Sequence, residues 1–228
     1  MADSDDDDLS LRPDTLAVLQ QFLKEQSAQQ ETEQQGTDIG EDWNLSQFWY
    51  EPSTSQHVAE TIAKEIEGEG KKRVLFLSTP SIFKAVHQDE ALSKQLDYHL
   101  FEYDKRFGVF GDRFRFYDYR DPVGFPASYK QSFDYICFDP PFLSQECIEK
   151  VALSIEALSH ASTRLLILTG RIQWPHINRL FANMRVCKFK PEHPRLQNDF
   201  FCCSNYDSEQ LGREEEGVSN TASTSSSS

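Results

Sequence analysis

Phe133–Leu143, FDYICFDPPFL, is the stretch on which the fold turns. Tyr135-Ile136-Cys137-Phe138 is a short apolar run with the length and the aromatic and β-branched content of a buried strand. It stops at Asp139-Pro140-Pro141-Phe142, because neither proline donates to a sheet ladder and each restricts the residue before it. An acid at the carboxyl end of a buried strand suits an open α/β sheet, whose ligands bind outside those ends. The turn is rich in acceptors and poor in donors: the Asp139 carboxylate, and carbonyls beside prolines that carry no N–H. It therefore suits a substrate presenting N–H bonds, either an amine or the exocyclic amino group of a base. Phe142 would stack on a flat base or hold the methylene stem of a lysine. The plainer reading of the same residues is a strand-end aspartate capping a turn beside a buried phenylalanine.

Upstream, Lys72–Leu77 (KRVLFL) reads as the first parallel strand, followed by Ser78-Thr79-Pro80-Ser81 where many nucleotide-binding turns carry glycines. The small hydroxyl residues leave room for a cofactor, and Pro80 is placed to open the next helix. A second strand, Tyr98–Tyr103, runs into Glu102-Tyr103-Asp104. An acid at the end of the second strand, about 20 residues beyond the first turn, is where α/β nucleotide folds hold ribose hydroxyls. Glu102 is the first choice for that role and Asp104 the second; otherwise both acids pair with Lys105, Arg106 or Arg113. A third strand, Phe114–Tyr117, leads to Asp118, placed to contact an adenine amino group or simply to begin a turn.

Downstream, Ile148, Val151, Ile155 and Leu158 mark a covering helix, and Arg164–Thr169 (RLLILT) a central strand ended by Gly170. Ile177, Leu180 and Phe181 mark a further helix after Pro175. Met184–Lys190 and Phe200–Tyr206 then suggest two strands closing the sheet with an antiparallel end. Before the first strand, Trp43–Tyr50 (WNLSQFWY) packs four aromatics into eight residues. These rings either seal an edge of the core or wall a substrate or cofactor pocket, with Trp49 and Tyr50 nearest the following helix. Ser53-Thr54-Ser55-Gln56 fits a capping box that opens this helix over Val58, Ala59, Ile62 and Ile66, with Gly68 and Gly70 ending it.

The 228 residues suffice for one α/β domain with tails. Residues 1–39 hold 10 acids and 2 bases: an acidic tail, an amphipathic helix through Leu16, Leu19, Phe22 and Leu23, and a Gln/Glu/Thr-rich flexible linker. That helix docks on its own domain or on a partner. Residues 207–228, with 5 acids and 1 base, read as a disordered acidic and Ser-rich tail. The net charge of −14 is therefore mostly in the tails, and the body between them carries 22 acids and 20 bases. So neutral a body argues against a duplex nucleic-acid substrate, whose binding leans on neutralising phosphates. The five cysteines show no metal-ligand spacing and read as reduced and mostly buried. No apolar run approaches a membrane span and no signal peptide is legible, so the expectation is a cytoplasmic monomer without metal.

Strands alternating with helices over residues 72–206 give a doubly wound, mostly parallel sheet. With Asp139-Pro140-Pro141-Phe142 matching the [DNS]-PP-[YFW] motif, the chain resembles the class I S-adenosylmethionine-dependent methyltransferases. The resemblance implies a seven-stranded Rossmann-like methyltransferase sheet. Gln47-Phe48-Trp49-Tyr50, Phe101–Phe107 (FEYDKRF) and Phe138–Leu143 (FDPPFL) resemble more narrowly the eukaryotic translation elongation factor 1-alpha lysine methyltransferase family. Members of that family were earlier labelled N6-adenine DNA methyltransferases because of DPPF. The resemblance covers about residues 40–206 and implies methyl transfer from S-adenosylmethionine to a lysine ε-amine of that factor. It implies catalytic roles for Asp139, Pro140, Pro141 and Phe142, cofactor contacts from Ser78, Thr79, Pro80, Glu102, Asp104 and Asp118, and substrate contacts from Trp49, Tyr50 and Phe142. Two other readings stand beside it: an adenine methyltransferase acting on DNA or RNA, and a non-catalytic adaptor.

Overall fold

The computed structural model describes residues 39–45, 47–68, 70–196 and 199–214. The chain divides into Met1–Gly40 and Glu41–Ser228, and every helix and strand described belongs to the second unit. The expected N-terminal helix, most of the linker, and the tail beyond residue 214 lie outside the described residues.

Seven strands form one sheet: β1 (Arg73–Leu77), β2 (Asp97–Glu102), β3 (Phe114–Phe116), β4 (Phe133–Phe138), β5 (Ser159–Gly170), β6 (Arg185–Val186) and β7 (Phe200–Ser204). Their spatial order is β3-β2-β1-β4-β5-β7-β6. The first five run parallel, and β7 is inserted antiparallel between β5 and β6. The antiparallel end is thus one reversed strand rather than a reversed pair. The helices are α1 (Pro52–Glu65), α2 (Pro80–Gln88), α3 (Glu90–Gln95), α4 (Gln145–Leu158) and α5 (Trp174–Leu180).

Both faces of the sheet are covered, which is why its strands read as near-continuous apolar runs. Leu75, Leu77, Ile136, Phe138, Leu165 and Ile167 share one buried cluster with Ile148, Val151, Ile155 and Leu158 of α4. Alternate residues of the same strands turn to the other face, where Phe83 of α2 stands edge-on to Phe76 at 6.3 Å. Each such fully buried aliphatic or aromatic side chain stabilises the fold by about 1.5–3 kcal/mol relative to an exposed one.

Several local expectations are corrected. The Ser53 capping box does not form; Pro52 occupies the first turn after Glu51, and the Thr54 hydroxyl accepts the Glu192 N–H at 3.1 Å. A proline fixes the helical φ one residue earlier than the box would. The expected Met184–Lys190 strand shortens to two residues, because the Phe189 N–H leaves β7 for the Leu211 carbonyl at 2.8 Å. Residues 207–214, read as the start of the tail, are held by that bond and by Glu214 N–H to Val186, with Leu211 buried. No described helix is long and apolar enough to cross a membrane.

Candidate active site

The carboxyl ends of β1 to β4 open together into a cavity of about 640 Å³. After β1, Ser78 adopts φ 54°, the left-handed backbone that glycine usually supplies, and its N–H donates to Phe101 at 2.9 Å. Thr79 follows, its hydroxyl donating to the Cys137 carbonyl at 3.4 Å, and Pro80 opens α2 as expected from sequence. A serine in a left-handed conformation thus makes the tight strand-to-helix turn without a glycine-rich loop. Ser78, Thr79 and Pro80 all line the cavity.

Glu102 is the last residue of β2 and lines the cavity while only 7% exposed. Burial pushes its carboxyl up to about 7, opposed by the Asp104 N–H that it accepts at 3.2 Å. Asp104 does not line the cavity. It caps the 3-10 turn Lys105–Arg113, accepting the Arg106 N–H at 2.9 Å and the Arg106 guanidinium at 2.7 Å. Two residues of chain separate a cavity carboxylate from a structural one. Asp118 does line the cavity, but the guanidinium of Arg120 donates to both its oxygens and holds its carboxyl below the ordinary range.

Asp139 sits directly after β4, placed by its N–H to the Leu77 carbonyl at 3.2 Å. Its carboxylate accepts the Tyr50 hydroxyl at 2.6 Å. Burial pushes the Asp139 carboxyl up to about 7; the Tyr50 bond pulls it down and the nearby Glu102 charge pushes it up further. Tyr50, 5% exposed, is itself raised well above an ordinary phenol by burial and then by Asp139. Pro140, Pro141 and the half-exposed Phe142 complete the strand-end turn in the same cavity, with Phe142 edge-on to Tyr119 at 5.7 Å. Trp49 lines it too, with the Lys84 ammonium 4.8 Å from its ring centroid. Of the residues singled out from sequence, only Asp104 stands outside the cavity.

The opposite wall was not legible. His193 and Leu196, from the connection between β6 and β7, and Phe200, the first residue of β7, line the cavity together with Asn44, Leu45 and residues 47–50. His193 stacks on Phe200 at 5.4 Å and lies 5.6 Å from Tyr50, and the Glu51 N–H donates to Glu192 at 2.9 Å. Neither His193 ring nitrogen has a hydrogen-bond partner among the described residues, and both are buried. The aromatic density of residues 43–50 signalled one side of this clasp; nothing in the polar run around Pro191 and Pro194 signalled the other.

Chemically, the described residues of the cavity wall present three carboxyl groups, Glu102, Asp118 and Asp139, against one arginine that Asp118 already neutralises. Such a site favours cations and N–H or O–H donors and disfavours phosphate. No group of three or more His, Cys, Asp or Glu among the described residues could hold a metal ion.

Residues 41–208 match the family described as probable N6-adenine methyltransferase. Over 215 residues the chain is 53% identical to a protein-lysine N-methyltransferase of Dictyostelium discoideum, covering 94% of this chain and 99% of that one. It is 37% identical to the human EEF1A lysine methyltransferase 1, covering 91% and 97%, and 42% identical to a protein-lysine N-methyltransferase of Caenorhabditis elegans, covering 89% and 97%. Among solved structures, a branched-chain polyamine synthase mutein of Thermus thermophilus superposes with a TM-score of 0.53 at 13% identity, over 78% of this chain and 64% of that one. At that identity the likeness is one of fold.

Proposed function

We infer that this chain, which belongs to the probable N6-adenine methyltransferase family, is an S-adenosylmethionine-dependent protein-lysine N-methyltransferase, and that its substrate is the translation factor EEF1A. The observation that carries the reading is the Asp139 carboxylate, held by Tyr50 at the end of β4 in a cavity of carboxylates whose wall, among the described residues, includes no lysine and no arginine other than the paired Arg120. A lysine ammonium meets complementary charge there, whereas a nucleic-acid backbone meets like charge. The names of relatives covered almost end to end support both the lysine and the factor.

The residues present fit the cofactor. The cavity volume lies within the range of small-molecule sites, and Glu102 offers a buried carboxylate at the strand end where ribose hydroxyls are held. Ser78, Thr79 and Pro80 would pass beneath it and Asp118 would stand toward the adenine. S-adenosylmethionine supplies a methyl group already activated on a sulfonium.

The chain's own task is therefore alignment more than bond-breaking. Lysine arrives protonated, with an ordinary pKa near 10.4, drawn in by the carboxylates; it must release one proton to solvent water before transfer, and the desolvation of a seated side chain favours that neutral form. Tyr50 fixes one oxygen of Asp139, leaving the second, with the Pro140 carbonyl, to accept the N–H bonds of the amine. Asp139 then faces the positive charge that grows on nitrogen during transfer. Phe142, Trp49 and the ring of Tyr50 wall the methylene stem and exclude water.

The test offers the full chain, with radiolabelled S-adenosylmethionine, purified EEF1A and adenine-containing DNA and RNA in parallel. Label on lysine of EEF1A, lost with Asp139→Ala while cofactor binding persists, is expected. Label on adenine would replace the lysine reading with the nucleic-acid one, and no label with no cofactor binding would leave an adaptor.

A further inference from the structure

The cavity mouth is ringed by apolar side chains that the fold leaves in water. Leu45, Phe48, Tyr103, Phe142 and Leu143 are each more than a third exposed and line the opening. Leu143 and Ile172 both flank Gly170 at the end of β5, which carries the ring onto Ile172, 74% exposed. Contiguous exposed apolar surface around a site marks a macromolecular contact.

We propose that the substrate is engaged as a folded surface seated on this rim, a face on which the lysine projects from apolar surroundings, and not as an extended peptide. The inference rests on the lysine reading above. Lysine carries its amine on only a four-carbon stem, so bringing that amine to Asp139 on the cavity floor brings the substrate backbone onto the rim. The rim residues come from four separate segments, Leu45 and Phe48, Tyr103, Phe142 and Leu143, and Ile172 beside Gly170, so no single stretch of chain lays down a groove for a peptide. The sheet's edges give a peptide little to pair with, since β3 has three residues and β6 two. Strand addition, the usual way a sheet captures an extended chain, needs a longer exposed edge. The occupant is therefore a preformed face.

Initial-rate kinetics with the full chain test this, using folded EEF1A, a synthetic peptide spanning its labelled lysine, and the variants Ile172→Asp and Trp43→Ala. Trp43 extends the same rim, 53% exposed and 5.9 Å from Phe48. The expected result is a KM for folded EEF1A about tenfold higher in either variant, with kcat, the thermal midpoint and calorimetric cofactor affinity unchanged. The peptide is expected to show a kcat/KM at least about a hundredfold below that of the folded factor. A peptide as good as the factor, or variants with unaltered KM, would overturn the inference while leaving the lysine reading standing. A wild-type chain that leaves EEF1A unlabelled overturns both.

Discussion

The Tyr50 hydroxyl donates to Asp139 Oδ2 at 2.6 Å, tying together residues 89 apart in the chain. This bond is what restrains the Asp139 carboxyl, which burial has already pushed up to about 7. Tyr50→Phe removes the restraint, so the carboxyl rises further and less of it is ionised at neutral pH. The acidic limb of kcat against pH then moves to higher pH, and kcat at pH 7 falls by about tenfold or more. A pH profile of wild type and variant, each saturated with both substrates, checks this. Coincident limbs would take Tyr50 out of the transfer.

How much of this was legible follows from where the information lies. The strands β1, β2, β4 and β5 were readable because both sheet faces are buried, which writes apolar runs directly into the sequence. Asp139-Pro140-Pro141-Phe142 was readable because acid and prolines sit next to one another. Glu102 and Asp104 were not separable, since the difference is where β2 stops and which of them caps the turn. Ser78 hid its role because φ is a backbone property that a serine does not advertise. His193 lies 143 residues from Tyr50, and only the tertiary fold brings the rings together.

Glu102 makes stability depend on pH with a definite sign. Its folded-state carboxyl, about 7, lies above the ordinary 4.5. Between those values the folded protein keeps a proton that the unfolded chain has released, so stability falls as pH rises and levels off above about 7. The slope from one such group is at most about 1.4 kcal/mol per pH unit. Glu102→Gln removes this contribution, leaving the variant equal to wild type near pH 4.5 and more stable at pH 8. Asp139 titrates over a similar window, so some slope persists. Urea midpoints across that range give the stability, and calorimetry is expected to show S-adenosylmethionine affinity falling with the same substitution.

Ser78 carries a left-handed backbone at the turn between β1 and α2. Ser78→Gly accepts that φ freely but gains freedom in the unfolded chain, so stability changes by under about 1 kcal/mol and cofactor affinity is kept. Ser78→Val meets the same φ with a β-branched side chain, which the left-handed region excludes. The valine variant is expected to lose cofactor affinity and melt lower. Equal melting of valine and glycine variants would show that the turn relaxes to another conformation.

His193 presents the opposite situation, a side chain whose polar atoms cost stability where they stand. Both ring nitrogens are buried without a hydrogen-bond partner among the described residues, while the ring face stacks on Phe200 at an interplanar angle of 26°. An orphaned buried polar atom costs about 1–3 kcal/mol. His193→Phe keeps an aromatic ring against Tyr50 and Phe200 and removes the orphaned nitrogens. The variant is therefore expected to melt higher, by about 2–4 °C for each kcal/mol gained in a chain of this size. Its kcat is expected to stay within about threefold of wild type, since the ring that backs Tyr50 is retained. His193→Ala instead opens space beside Tyr50, lowering the melting point and loosening the hold on Asp139. For that variant kcat falls while cofactor affinity, which the proposal places on Glu102, is kept. Calorimetric melting and initial rates on the three proteins measure both effects. A phenylalanine variant that melts below wild type would mean the His193 nitrogens are paired in solution, and the cost assigned to them would have to be withdrawn.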